Sequence, residues 1–179
     1  FSMCEHPMVG ATEVLDTTID ELKKWTDVRS PKVKRLVEWF QNTEEKCLIF
    51  TSLSGVVLGD IQQALQEANI KHVVVTGSMT RFQRAKAIDT FQNDVTCRAF
   101  LLTTRSASYG LTLTAASSII FFEPCMNRSL RDQCIGRMDR IGQTKKSLDV
   151  ITFAVENSIE EKLAEVVKVK NWSFKDVNL

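Results

Sequence analysis

Residues 97 to 124 read CRAFLLTTRSASYGLTLTAASSIIFFEP, two apolar runs (CRAFLLTT, 97–104, and SSIIFFE, 117–123) joined by a hydroxyl-rich segment around Arg105. Neither run alternates apolar with polar residues. Near-continuous apolar character suits parallel strands covered on both faces. Three further runs share it: KCLIFT (46–51), HVVVTG (72–77) and LDVITFAV (148–155). Helix-period patterns lie between them, with Val57, Ile61, Ala64, Leu65 and Ala68 on one stripe and Phe82, Ala85, Ile88 and Phe91 on another. Ser30-Pro31 supplies a helix start, and Thr80 with Gln83 and Ser158 with Glu161 are spaced as capping boxes. The alternation predicts a doubly wound α/β domain with helices on both faces of a mainly parallel sheet. Ligands of such sheets bind at the carboxyl ends of the strands. The loops at 51–55, 76–80 and 103–110 are therefore the places to look for function.

With 179 residues and 44% hydrophobic content, the chain can bury one good core. The spans expected are a lead-in over 1–29, one domain over 30–170 and a tail over 171–179. Lys and Arg number 23 against 22 Asp and Glu, so no basic character marks the chain as a whole, and any nucleic-acid surface must be local. From Arg128 to Lys146, six basic residues stand against two acidic ones. Five scattered cysteines without a CxxC pair fit reduced, buried thiols in an intracellular protein and argue against zinc. No apolar run reaches membrane-spanning length, so a soluble chain is expected, and Phe1 in place of an initiating Met reads as a piece of a longer polypeptide.

Two constellations carry chemistry. After the first three strands come Thr51 and Ser52, then Gly77 and Ser78, then Thr103, Thr104 and Arg105. Hydroxyls, helix-start amides and an occasional Arg are what sequence-independent phosphate contacts require. The second constellation is QCIGRMDRIGQ (133–143), with Gln133, Gly136, Arg137 and Arg140 spaced Q-x-x-G-R-x-x-R. Read as one helix, it puts Gln133, Arg137 and Arg140 on a shared face beside an apolar stripe of Leu130, Cys134, Met138 and Ile141. Two Arg beside a side-chain-free Gly suit a planar phosphate site that something approaches closely. His6 and His72 read as packing residues, and the three Trp are too scattered for a stacking platform.

Taken together, CEHPMV (4–9), CLIFTS (47–52), VTGSMTRFQRAKAIDTFQND (75–94), LLTTRSASYGLTLTAASSIIFFEP (101–124), DQCIGRMDRIGQ (132–143) and NSIEEKL (157–163) resemble the second, carboxyl-terminal RecA-like lobe of a Swi/Snf-type helicase-like ATPase. The resemblance runs over nearly the whole chain in the family's order. It implies half of a nuclear motor that hydrolyses ATP, with Mg2+, to move along double-stranded DNA, often remodelling nucleosomes. Arg137 and Arg140 would then act on the γ-phosphate, with Gln133, Gly110 and Gly136 at the nucleotide. Thr51, Ser52, Ser78, Thr103, Thr104 and Arg105 would lie along the DNA backbone. No phosphate loop and no acidic Mg-binding box occurs in the chain, so the phosphates and metal fall to an amino-terminal RecA-like lobe, and the fragment is expected to be a monomer inactive by itself.

The family pattern is departed from at Ser106, Ala107 and Ser108, usually Ala-Gly-Gly; at Thr112, usually Asn; at Glu123, usually Asp; at Met126, usually Trp; and at Asp139, usually His. A catalytically degenerate scaffold lobe that binds a partner and an RNA helicase lobe are the alternative readings.

Overall fold

The computed structural model describes residues 29–53 and 55–172. The expected lead-in apart from Arg29, including Cys4, His6 and Trp25, and the tail from residue 173 lie outside the described residues. Among the described residues five strands alternate with helices: α1 (Pro31–Gln41), β1 (Cys47–Thr51), α2 (Val56–Glu67), β2 (His72–Val75), α3 (Arg81–Asn93), β3 (Ala99–Thr103), a 3-10 turn (Thr104–Tyr109), β4 (Ser118–Phe121), α4 (Arg128–Ile135), β5 (Asp149–Thr152) and α5 (Ile159–Trp172). All strand pairings are parallel, in the order β2-β3-β1-β4-β5. This is the doubly wound, RecA-like arrangement the sequence predicts.

The alternating pleat directs each central strand's residues into two separate cores. Leu48, Phe50, Phe100, Leu102, Ile119 and Phe121 point to one face, where Ala87 and Phe91 of α3 and Cys134 of α4 cover them with Met138. Cys47, Ile49, Ala99, Leu101 and Ile120 point to the other, against α1 and α2. The outermost strand, β5, is mostly exposed, unlike the continuous burial its composition suggests. Edge position explains the difference, since one side of β5 has no strand beside it among the described residues.

Local signals hold unevenly. The Thr80–Gln83 capping box is present, with Gln83 N–H donating to Thr80 Oγ1 at 3.2 Å and Thr80 N–H to Gln83 Oε1 at 2.8 Å. At α5 the box is shifted by one residue: Ser158 Oγ accepts from Glu160 N–H, and Glu161 Oε2 accepts from Asn157 N–H. Ser30 precedes Pro31 as expected, yet its buried hydroxyl caps nothing. Phe82, assigned to the apolar stripe of α3, is 79% exposed, and the buried positions are Ala87 and Phe91. A three-residue spacing drifts around a 3.6-residue helix, so Phe82 and Phe91 cannot share a narrow stripe.

α1 and the start of α5 are joined by a buried ion pair. Lys32 Nζ lies 2.8 Å from Glu160 Oε1 and donates to the Phe122 carbonyl at 2.8 Å, while Glu160 Oε2 accepts from Val155 N–H at 3.0 Å. Among the described residues no helix is long and apolar enough to cross a membrane.

Candidate nucleotide and nucleic-acid edge

The carboxyl ends of β1, β2 and β3 bring Thr51 and Ser52, Ser78, and Thr103 and Thr104 to one edge of the sheet. Their exposure differs sharply. Ser52 and Ser78 are exposed, and Ser78 Oγ shares a hydrogen bond of 3.0 Å with Thr76 Oγ1. Thr103 is half-buried and bonded through Oγ1 to Ser106 Oγ at 2.8 Å. Thr51 and Thr104 are buried. Thr51 donates its hydroxyl hydrogen to Glu123 Oε2 at 3.0 Å and accepts from Leu53 N–H at 3.1 Å. Its hydroxyl is thus spent inside the fold. The Arg105 backbone belongs to the 3-10 turn; its side chain lies outside the described residues.

Glu123 organises this corner, and nothing in the residue pattern marked it as more than a substitution for Asp. Its second oxygen accepts from the Ser52 amide, so one buried carboxylate fixes the turn leaving β1. Burial raises the Glu123 pKa, the bonds from Ser52 and Thr51 opposing that rise.

The Q-x-x-G-R-x-x-R segment departs from the single helix expected of it. α4 ends at Ile135 with Gly136 as its cap, and Arg137, Met138 and Asp139 turn away with amides bonded to Cys134 and Ile135 carbonyls. Gln133, exposed on α4, therefore does not share a helical face with Arg137 and Arg140. Ile141, expected in the apolar stripe, is fully exposed, whereas Cys134 and Met138 are buried as that stripe requires. What interrupts the helix is a clamp onto the segment leading into β4. Leu113 N–H donates to the Arg137 carbonyl at 2.9 Å, and Gln143 Nε2 donates to the Ala116 and Met138 carbonyls at 2.9 and 3.2 Å. These bonds replace the helical ladder that residues 136–143 give up.

The two arginines have different surroundings. Arg140 donates through Nε to the Gly136 carbonyl at 2.8 Å and through Nη1 to the Gly110 carbonyl at 3.1 Å and Thr112 Oγ1 at 3.0 Å. Gly110 presents that carbonyl from a left-handed conformation, φ 70°, where a side chain would be strained. Thr112, where the family usually has Asn, supplies the second acceptor. Arg140 keeps Nη2 free of these bonds. Arg137 is 9% exposed, its Nε is buried without a partner, and its guanidinium meets no acceptor among the described residues. Burial and then the charge of Arg140 lower its pKa. Gly136 has ordinary right-handed dihedrals, and a Cβ there would meet only the Asp132 carbonyl tightly, at 3.3 Å. Its own backbone does not demand glycine.

The helicase conserved C-terminal domain model matches residues 31–142, more than half the chain and the span from α1 through the arginine clamp. The chain belongs to that family. Within it, the lobe is of the superfamily two, Swi/Snf-like kind. ATP-dependent helicase rhp16 of Schizosaccharomyces pombe is 32% identical over 155 residues, 84% of this chain and 18% of the relative. The ISWI chromatin-remodeling complex ATPase ISW2 of Saccharomyces cerevisiae is 30% identical over 165 residues, covering 90% of this chain and 15% of that protein. The crystal structure of the C-terminal part of the Fun30 ATPase domain superposes with a TM-score of 0.71 at 29% identity, over 77% of this chain and 45% of that one. The helicase lobe described here spans less than a fifth of the length of these two curated relatives.

Proposed function

We propose that this chain is the second motor lobe of an ATP-driven, double-stranded DNA translocase of the chromatin-remodelling and DNA-repair kind, acting in the nucleus. The observation that carries the reading is Arg137, whose Nε is buried without an acceptor among the described residues, beside a second guanidinium with a free Nη2. Unpaired buried donors cost free energy unless a partner arrives. A γ-phosphate held by a facing amino-terminal RecA-like lobe is such a partner, and transferring phosphate builds negative charge where preorganised donors act best. ATP fits this donor set. In this reading Mg2+ would be held with the phosphates by the facing lobe. When bound, the ATP–Mg2+ complex supplies the reactive γ-phosphoryl group and its charge.

In this reading Arg140 anchors the clamp to Gly110 and Thr112 while offering Nη2, Arg137 completes a two-guanidinium edge, and Gln133 and Gly136 border the nucleotide. Ser52, Ser78, Thr103 and Arg105 follow the DNA backbone, where bonds to phosphate carry no sequence preference. Thr51 and Thr104 support that track from beneath, Thr51 through Glu123. RNA or a protein partner would replace DNA if duplex DNA failed to stimulate turnover.

The test is steady-state hydrolysis by the two-lobed protein at saturating duplex DNA, with the chain alone as the zero. Arg140→Ala is expected to slow turnover by about 10³ to 10⁵, or roughly 4 to 7 kcal/mol of transition-state stabilisation. Arg140→Lys should rescue poorly, because an ammonium cannot reproduce a planar fork. Near-normal rates in both variants would overturn the assignment and favour the scaffold reading.

A further inference from the structure

At the opposite end of the sheet from β2, the strand β5 turns a row of backbone groups outward. Asp149 N–H donates to the Ser117 carbonyl at 3.0 Å and Phe153 N–H to the Phe121 carbonyl at 2.9 Å, so the odd-numbered residues of this stretch bond inward to β4. A strand gives alternate residues to each side, which leaves the amides and carbonyls of Val150 and Thr152 facing out, with no strand beside them among the described residues. Both residues are exposed. Clefts flank this edge on its two faces. One, of about 650 Å3, lies between Trp39 of α1 and the strand at Ile151 and Phe153; the other, of about 490 Å3, lies between α5 and the strand at Val150 and Thr152.

We infer that β5 pairs antiparallel with β5 of a second copy of this chain, joining the two sheets edge to edge about a two-fold axis. Such a pairing must set outward-facing residues opposite one another. The register with Ile151 on the axis does so: Val150 faces Thr152 of the second copy, and each such pair exchanges both of its hydrogen bonds. The charge pattern selects this occupant and this register. Lys146 and Glu156, both exposed, are equally spaced from Ile151 along the chain, so the lysine of each copy falls opposite the glutamate of the other at both ends of the paired segment. A two-residue slip separates both pairs at once, and a one-residue slip turns the outward groups away from each other. An open strand edge invites pairing of this kind, and the contact closes at two copies because each contributes the same strand. It makes a dimer of a chain whose sequence alone leads to the expectation of a monomer. The loops after β2 and β3 lie toward the other end of the sheet, so the contact does not depend on the DNA-motor reading.

Sedimentation velocity of the 179-residue chain over a concentration series tests it. A weak dimer is expected, with a dissociation constant in the micromolar range, since so short an edge buries little area. Thr152→Pro removes an outward amide without touching the bonds to β4, and should weaken association at least about tenfold because the two-fold axis doubles the loss. Lys146→Glu and Glu156→Lys should each weaken it several-fold, and an equimolar mixture of the two variants, or both changes in one chain, should restore it. Thermal midpoints at concentrations where the parent is monomeric separate misfolding from lost pairing. A parent chain that stays monomeric at millimolar concentration overturns the proposal; slow deuterium exchange at the Thr152 amide would then mean that another segment of the same chain covers β5. A dimer as tight in Thr152→Pro as in the parent, or charge reversals that the mixture does not repair, places the contact elsewhere and overturns the proposal as well.

Discussion

Two buried cations of this lobe stand in opposite conditions. Lys32, on α1, has a carboxylate, a carbonyl and the ring of Phe122 within reach. Arg137, just past α4, is nearly as buried and meets no acceptor among the described residues. Taking a charge out of water costs several kcal/mol, recovered only with good geometry and satisfied hydrogen bonds. Lys32 recovers it within the domain and fastens the start of α5 to α1. Arg137 has no such partner for its buried Nε among the described residues, and in the proposed reading that partner is a phosphate held by a facing lobe. Burial is thus common to the two cations, and their hydrogen-bond partners are what differ.

The largest expected effect on the fold follows at Lys32. Lys32→Ala takes the cation from the buried Glu160 carboxylate and should cost about 3 to 5 kcal/mol, whereas the double change Lys32→Met with Glu160→Leu should be near neutral or stabilising. Urea midpoints at constant slope measure both. A smaller loss is expected from Arg140→Ala, roughly 1 to 3 kcal/mol for bonds that tie the 136–143 segment to Gly110 and Thr112. Smallest is Arg137→Ala, within about 1 kcal/mol of the parent and of either sign, since removing a buried, unpartnered Nε–H offsets the packing lost. If Arg137→Ala unfolded the chain as Lys32→Ala does, the contrast between the two cations would be broken.

Much of this was legible in the sequence, for a physical reason that also marks where reading stops. Strands β1, β3 and β4 are buried on both faces, so burial writes itself into CLIFT, AFLL and SIIF. Short-range chemistry was legible too, as at the Thr80 capping box. The end of α4 was not: Arg137 to Ile141 continue the helical period, and the turn is imposed by bonds to Leu113 and Ala116, more than 20 residues away in the chain. Long-range pairs leave little trace in one sequence. Lys32 with Glu160 and Thr51 with Glu123 each join separate elements, so a hydroxyl expected at a DNA surface could instead be spent on a buried carboxylate. The substitution at Glu123 was visible, but its reach to the Ser52 amide required the fold.

Affinity for a transition-state mimic tests most directly whether Arg137 awaits a phosphate. ADP with a planar metal fluoride should bind the two-lobed parent protein, with DNA and Mg2+ present, far more tightly than ADP alone, because enzymes complement the transition state over the ground state. The account predicts that Arg137→Ala loses most of that preference, by about 10³-fold or more, while ADP affinity and thermal midpoint stay near the parent's. An unchanged preference for the mimic would contradict it and leave Arg137 a buried charge without a role in hydrolysis.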